Sequence, residues 1–300
     1  MKKKIIQFVL VPLLFVGFGF GIYAPIDLNP YIEPSIGPEN GTLLIIGGSA
    51  RDPIFFELFK EYAGGNQAKI IVVPTAFEDE QIQADTGFAR LKTSFEKAGF
   101  TNIHILHTRD QAVANSEEFI APIREASGVY FMGGRQWRIA DAFLNTRAHE
   151  EFHKLLERGG IIAGSSAGAT IQGTYLARGD TKLNTIMLGD HEQGLGFIRN
   201  VAIDQHLLAR NRQFDMFEIL EHHPQLLGIG LDENTGILVK FDKFEVVGKS
   251  FVAIYDGTRY SAERDTIYKL APHQKEFYFL KSGDKYDLRS RRVLREKSKD

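Results

Sequence analysis

GGIIAGSSAGA, at residues 159–169, joins a short apolar run to a turn of small residues that contains a serine. The part from Gly164 to Gly168 fits the G-x-S-x-G pattern, in which a nucleophile lies on a sharp turn between a strand and a helix. Small neighbours are needed there because the strained backbone of the nucleophile leaves no room for larger side chains. The turn also aims the backbone N–H of Ala167 at the position where an oxyanion would form. These residues predict a nucleophile, Ser166, at the end of a buried strand.

Four further apolar runs precede this one, and together they predict a parallel sheet. Each run lacks the alternation of a half-exposed strand and is bounded by Gly or Pro, which is typical of strands buried on both faces. Between the runs, apolar residues recur at helical spacing, as Phe55, Leu58 and Tyr62 do. The alternation predicts an α/β fold, a doubly wound and mostly parallel sheet with helices on both faces. The five runs are 43–46, 69–74, 103–106, 128–132 and 160–163.

The pattern changes from residue 228 onward, where apolar runs follow one another closely. We expect these C-terminal β-strands to extend the sheet and not to form a separate domain. Gly248-Lys249 lies between two of the runs and predicts a hairpin turn. The hydrolytic domain is thus predicted to cover residues 42–300, behind a linker at residues 25–41 that is rich in Pro and Gly.

The N-terminus has the features of an export signal. Three lysines at residues 2–4 form a positive region, and residues 5–24 form an apolar run without charge. Residues 1–24 are therefore predicted to be a signal peptide or, because the run is long enough to cross a bilayer, a membrane anchor. The protein is expected to be exported to the periplasm, the extracellular space or the membrane surface, with a membrane tether if the segment is retained.

The composition excludes several classes of protein. The 300 residues carry a formal net charge of -2 and are 43% hydrophobic, which suits a globular core and gives no basic surface for nucleic acid. The chain has no cysteine, so a cysteine nucleophile and a lipoprotein anchor are excluded. No Gly-rich phosphate loop or cysteine cluster occurs, and we predict no metal and no organic cofactor.

A serine nucleophile needs a base within hydrogen-bond reach and an acid that orients this base. Among the 9 histidines, His206 is distinctive because it follows the strand-like run 200–204 and has polar neighbours on both sides. Two acids are candidates for the orienting role. Glu233 follows another apolar strand, whereas Asp180 lies in an Arg-Gly-Asp loop shortly after Ser166. Spacing alone does not choose between the two acids.

Four motifs in this order make the chain resemble the cyanophycinase-type members of a serine peptidase group that also contains dipeptidase E. The motifs are Gly133–Gln136, Gly164–Ala169, Asp204–His206 with Arg210 and Arg212, and Gly230–Thr235. The resemblance covers residues 42–255. It implies a class I glutamine-amidotransferase-like α/β fold with a serine nucleophile.

The resemblance also implies catalytic roles. Ser166 would attack the substrate carbonyl, with His206 as the general base. Either Glu233 or Asp180 would hold the imidazole. The oxyanion hole would be formed by two backbone N–H groups, those of Gly134 and Ala167.

The same resemblance implies a substrate pocket. The matching positions are Gln136, Asp204, Gln205, Arg210 and Arg212. Cyanophycin is a poly-aspartate with arginine on each β-carboxyl, so an enzyme that releases β-aspartyl-arginine must hold a carboxylate and a guanidinium. Arg210 and Arg212 suit carboxylates through their paired planar donors, and Asp204 suits a guanidinium. The expected activity is that of a serine exopeptidase on cyanophycin or a related β-aspartyl or acidic peptide.

The chain departs from the family pattern at Asp215, where an arginine is common, and at Arg135, where an aspartate is common. Because charge changes in a recognition pocket alter which substrate is tolerated, a different β-linked or acidic peptide is an alternative to cyanophycin. Two other functions stay open: a non-catalytic binding module on the same fold, and an α/β-hydrolase-type esterase with Asp180 as its acid. The expected partner is a peptide substrate, and the sequence is compatible with a homodimer.

Overall fold

The computed structural model describes residues 36–256 and 277–294. The predicted signal segment, residues 1–24, and most of the predicted linker lie outside the described residues. Within the two described ranges, no helix combines the length and the apolar character that crossing a bilayer requires.

The strands and helices alternate through the first half of the chain, as the sequence pattern predicts. The strands are β1 (Thr42–Ile46), β2 (Lys69–Val73), β3 (Asn102–Ile105), β4 (Gly128–Phe131), β5 (Ile161–Ser165), β6 (Gly173–Tyr175), β7 (Ile198–Gln205), β8 (Leu227–Leu231), β9 (Thr235–Lys240), β10 (Lys243–Gly248), β11 (Phe251–Asp256), β12 (Tyr278–Lys281), β13 (Lys285–Asp287) and β14 (Arg292–Leu294). The α-helices are α1 (Ile54–Ala63), α2 (Asp79–Ala84), α3 (Ala89–Lys97), α4 (Gln111–Ala114), α5 (Glu117–Glu125), α6 (Gln136–Phe143), α7 (Arg147–Glu157), α8 (Ala167–Thr170) and α9 (Met216–His222).

The larger sheet has the strand order β14-β13-β10-β9-β1-β5-β4-β2-β3. Its half from β1 to β3 is parallel, and the strands beyond β1 are antiparallel. Successive residues of β1 point to opposite faces: Leu43 and Ile45 belong to one core cluster and Leu44 and Ile46 to the other. The first cluster includes residues of α5, α6 and α7, and the second includes residues of α1 and α3. The prediction of a mostly parallel sheet with helices on both faces is confirmed.

A second sheet, with the order β12-β11-β8-β7-β6, corrects one expectation. Only β9, β10, β13 and β14 extend the first sheet, whereas β8, β11 and β12 belong to the second. Because β10 and β11 lie in different sheets, Gly248-Lys249 is a crossing between sheets and not a hairpin turn. Gly248 has φ 105°, and a Cβ atom there would lie 2.4 Å from the carbonyl oxygen of Asn234. This crossing therefore requires glycine.

The carboxyl ends of parallel strands from both sheets meet at one place. The backbone N–H of Ser166, after β5, donates to the carbonyl oxygen of Ile46 at the end of β1. The backbone N–H of His206, after β7, donates to the carbonyl oxygen of Gly47. Parallel α/β sheets bind ligands at this end of their strands, and the predicted nucleophile and base both lie here.

Candidate active site

Ser166 lies on a sharp turn between β5 and α8. Its backbone has φ 58° and ψ −116°, a conformation that L-residues rarely adopt. A Cβ atom on Gly164 would lie 2.1 Å from the carbonyl oxygen of Gly168, and one on Gly168 would lie 2.0 Å from that of Phe131. The turn can therefore form only with glycine on both sides of the serine. This steric requirement explains the G-x-S-x-G pattern.

Three side chains from distant parts of the chain form a continuous hydrogen-bonded row. Ser166 Oγ lies 2.9 Å from His206 Nε2, and His206 Nδ1 lies 2.6 Å from Glu233 Oε1. An ionised carboxylate can only accept, so Nδ1 carries the proton that is donated to Glu233. The neutral imidazole then presents an unprotonated Nε2 to the serine hydroxyl, which is the arrangement that a general base requires.

Glu233, and not Asp180, is the acid that contacts the imidazole. The Asp180 carboxylate instead accepts from the backbone N–H groups of Lys182 and Leu183, at 2.8 and 3.0 Å. The order along the chain is thus Ser, His, Glu, which differs from the Ser, acid, His order of α/β-hydrolases. The expectation that Asp180 could orient the base is not met, and the esterase alternative loses the acid on which it depended.

The loop after β1 confines the imidazole. Gly48 has φ 135°, and a Cβ atom there would lie 2.3 Å from Cε1 of His206 and 2.7 Å from Nδ1. The neighbouring Ser49 hydrogen-bonds through its side chain to Glu233. Neither residue is among the predicted site residues, although the Gly-Gly pair at the end of the first strand is a signal that could have found them. A glycine beside a strand end often marks a close approach of another group.

The charges around the row keep the imidazole neutral and the carboxylate ionised. Burial lowers the pKa of His206, the hydrogen bond to Glu233 opposes this effect, and the nearby charge of Arg210 adds to the lowering. Burial by itself would raise the pKa of Glu233, but the hydrogen bonds from His206 and Ser49 outweigh it, and the pKa is lowered. At neutral pH the pair therefore has the protonation states of a base and its orienting acid.

Two backbone N–H groups beside the serine are available to a ligand. A Cβ atom on Gly133 would lie 3.2 Å from the Cβ atom of Ser166, so the turn after β4 lies against the turn that carries Ser166. The next residue, Gly134, has φ 136°, and a Cβ atom there would lie 2.0 Å from the carbonyl oxygen of Ala76. Across residues 36–256 and 277–294, neither the Gly134 nor the Ala167 amide donates to a protein acceptor. Amides of this kind can stabilise an oxyanion.

Three of the predicted pocket residues have internal partners. Gln136 is buried, and its side-chain amide donates to the carbonyl oxygens of Ala177 and Arg178 at 2.9 and 2.8 Å. Arg212 is also buried and donates through Nη1 to the main-chain and side-chain oxygens of Gln205, both at 3.1 Å. These contacts hold the three side chains in place and occupy part of the hydrogen-bonding capacity of each.

Arg210 is exposed and lies on a short turn after His206. Asp232 holds this turn: one of its carboxylate oxygens accepts from the backbone N–H groups of Leu208 and Ala209, at 2.9 and 3.0 Å. The other oxygen accepts from the hydroxyl of Ser250 at 2.6 Å. Asp232 is therefore a positioning residue that the sequence analysis missed, because a turn rich in acidic residues gives no sign of which one faces inward.

Asp204, expected to bind a guanidinium of the substrate, is bonded to an arginine of the chain itself. Its two carboxylate oxygens lie 2.7 Å from Nε and 2.9 Å from Nη2 of Arg178. The side chains of both residues are only 1% exposed. Nη2 of Arg178 also donates to Asp215 at 2.6 Å. Only the acid of the Arg-Gly-Asp loop is a predicted site residue, but its arginine is the residue that contacts Asp204.

Among the residues that the structure describes, no group of three or more His, Asp or Glu side chains is arranged to hold a metal ion. One histidine pair stands apart from the Ser–His–Glu row. His149 and His153 lie one turn apart on α7 with their Nε2 atoms 3.2 Å apart. The Nε2 atoms also lie 2.8 and 3.0 Å from the carbonyl oxygen of Leu195, which is a sufficient acceptor for both rings.

A comparison with known families agrees with the geometry of the turn at Ser166 and of the hydrogen-bonded Ser–His–Glu row. Residues 43–247 match peptidase family S51. The chain belongs to this family. The S51 chain is 29% identical over 268 residues to the cyanophycinase of Geminocystis herdmanii, with 84% of this chain and 96% of the relative covered. It is 30% identical over 263 residues to the cyanophycinase of Trichormus variabilis, with 84% and 87% covered. The S51 chain is therefore a serine peptidase, and the resemblance seen in its motifs is confirmed.

Solved structures support the fold of the S51 peptidase. A peptidase from an acI-B1 actinobacterium superimposes with a TM-score of 0.59 at 23% identity, covering 84% of this chain and 98% of its own. A putative peptidase E protein from Listeria monocytogenes superimposes with a TM-score of 0.51 at 18% identity, covering 70% and 99%. At these identities the likeness shows the α/β fold alone.

Proposed function

We propose that this S51 peptidase hydrolyses cyanophycin or a related β-aspartyl or acidic peptide through an acyl-enzyme formed on Ser166. The observation that carries the proposal is the pair of hydrogen bonds that joins Ser166 to His206 and His206 to Glu233, at 2.9 and 2.6 Å. The relatives described as cyanophycinases support the substrate class, because cyanophycin is a poly-aspartate that carries arginine on each β-carboxyl. The family membership and the Ser–His–Glu row together favour catalysis over a non-catalytic binding module.

Each residue of the row has a step in the proposed reaction. As Ser166 Oγ attacks the carbonyl carbon, Nε2 of His206 takes the hydroxyl proton, and Glu233 stabilises the imidazolium that forms. The free N–H groups of Gly134 and Ala167 stabilise the negative charge that develops on the carbonyl oxygen. His206 then passes the proton to the leaving amine. A water molecule, deprotonated by His206, hydrolyses the ester and frees the serine.

Arg210 offers a substrate carboxylate an exposed cation whose charge acts on both His206 and Glu233 of this row. A guanidinium binds a carboxylate through two parallel hydrogen bonds, which fixes the orientation of the bound peptide. We propose that Arg210 binds the free α-carboxylate that an exopeptidase substrate carries next to the scissile bond.

The test compares two adjacent serines. Ser166→Ala and Ser165→Ala are treated with a fluorophosphonate and assayed by mass spectrometry on cyanophycin and on α- and β-aspartyl dipeptides. We expect labelling and turnover by the wild type and by Ser165→Ala. Ser166→Ala should remain unlabelled and lose turnover by about 10³-fold or more, because no other group supplies the nucleophile. Labelling of Ser166→Ala at the wild-type rate would refute the mechanism, and a wild type that turns over neither cyanophycin nor any of the dipeptides would refute the substrate class.

We also propose, from the sequence alone, that residues 1–24 export the enzyme. The charged region at residues 2–4 and the apolar run behind it are the supporting features. Cell fractionation of the full chain, and of a chain lacking residues 2–24, tests this proposal. Recovery of both chains in the cytoplasm would contradict it.

A further inference from the structure

The contact between Arg178 and Asp204 occupies the group that would otherwise recognise a substrate guanidinium. Both oxygens of Asp204 face Arg178 in a two-point contact, and Oδ1 also accepts from the backbone N–H of Gln205 at 2.9 Å. Neither side chain is exposed by more than 1%. A substrate could reach this carboxylate only if it displaced a buried guanidinium with ideal geometry, which is costly.

The contact is part of a charged cluster beside His206. We define the cluster as Arg178, Asp204, Arg210, Arg212 and Asp215. Arg212 Nη1 lies 4.0 Å from Asp204 Oδ1. Burial, followed by the positive charge of Arg178, lowers the pKa of Arg212, but a guanidinium stays charged at neutral pH. Glu233, which the charge of Arg210 also reaches, supplies a third carboxylate, so the three guanidinium groups are balanced by three carboxylates.

The second acid of the cluster does not replace the first. The Asp215 side chain is 38% exposed, but its Oδ2 atom already accepts from Arg178 at 2.6 Å. Arg210 is exposed, and its charge acts on His206 and on the ionised Glu233. A guanidinium entering with the substrate would therefore find no carboxylate of the cluster without a partner, whereas a neutral group needs none.

We propose that Arg178 is a built-in guanidinium that keeps Asp204 from substrates. The site then selects aspartate peptides whose β-carboxyls carry a neutral residue over those whose β-carboxyls carry arginine. This inference rests on the proposed function and names the substrate class within it. Arg178 is a specificity-determining residue in this scheme, although it touches no reacting atom.

The first experiment measures kcat/KM for two short α-linked poly-aspartates that differ only in the residue on each β-carboxyl, arginine in one and citrulline in the other. Citrulline has the shape of arginine without its charge, so it isolates the contribution of the guanidinium. In the wild type we expect the arginine peptide to be no better than the citrulline peptide. A preference of tenfold or more for arginine over citrulline would overturn the proposal, whichever acid supplied it.

The second experiment tests the occupancy of Asp204 without any turnover. Arg178→Ala opens a buried space beside this carboxylate, and Arg199→Ala removes an arginine from the other end of β7 as the matched control. Millimolar methylguanidinium should raise the midpoint of thermal unfolding of Arg178→Ala and leave the wild type and Arg199→Ala unchanged, because only the first has a vacant guanidinium position. Equal effects on all three proteins, or no effect on Arg178→Ala, would overturn the assignment.

If Arg178→Ala folds, we also expect its substrate specificity to change. In Arg178→Ala, the ratio of kcat/KM for the arginine peptide over the citrulline peptide should rise by about tenfold, and methylguanidinium should return it to the wild-type value. If the wild type turns over neither cyanophycin nor any other aspartyl peptide, the proposed function has failed. The unfolding experiment still decides whether Arg178 occupies Asp204.

Discussion

Replacing Gly48 by alanine tests whether the backbone after β1 confines the catalytic imidazole. The new Cβ atom would lie 2.3 Å from Cε1 of His206, whereas non-bonded carbons rest at about 3.5 Å or more. The ring would have to retreat by about 1 Å, which is the difference between those two distances. Its hydrogen bond to Ser166, at 2.9 Å, would then exceed the usual limit.

A misplacement of about 1 Å costs on the order of 10²-fold in rate, so kcat/KM of Gly48→Ala should fall by about that factor, or about 2.7 kcal/mol. The rate of fluorophosphonate labelling should fall in parallel. Gly64→Ala is the control. Gly64 also has a positive φ, 101°, but a Cβ atom there would meet nothing within 4 Å. Both variants should lose about 1 kcal/mol of stability from backbone strain, and only Gly48→Ala should lose activity.

Wild-type turnover and labelling in Gly48→Ala would refute the reasoning, because the imidazole would then have room that the structure denies it. An equal loss of activity in Gly64→Ala would also refute it. That result would trace the loss to backbone strain and not to the contact with His206. Thermal unfolding of the two variants separates strain from displacement, since strain lowers the midpoint of both.

Three further predictions follow from the contacts around the row. Because the pKa of His206 is lowered, the pH profile of kcat/KM should have an acidic limb with a midpoint below pH 6.5. Arg210→Ala removes a positive neighbour of His206 and should move this limb to higher pH. A midpoint at pH 6.5 or above in the wild type would contradict this prediction. Glu233→Gln should lower kcat by about 10⁴-fold and Asp180→Asn by no more than a few-fold, and equal losses in steady-state assays would show that the assignment of the acid is wrong. Asp232→Ala should lower stability by about 1–3 kcal/mol in denaturant unfolding and raise KM more than it lowers kcat, whereas unchanged stability would mean that the turn carrying Arg210 does not depend on this carboxylate.

Much of the fold follows from local pattern. The five apolar runs became β1 to β5 within a residue or two, because a strand buried on both faces needs apolar side chains throughout. The second sheet could not be predicted from local pattern, since the apolar runs after residue 228 have the same character whichever sheet they join. Pairing is decided by partners distant in sequence: β8 pairs with β7 and β11, and β9 pairs with β1.

The candidate active site, like the fold, could be predicted from local sequence only in part. The turn that carries Ser166 could be predicted from a few consecutive residues, because the steric requirement for glycine at positions 164 and 168 acts within a single turn. The choice of Glu233 over Asp180, and the pairing of Arg178 with Asp204, could not be read in this way. Charged groups pair according to their distance in space, and only the packed sheets bring these residues within 3 Å of their partners.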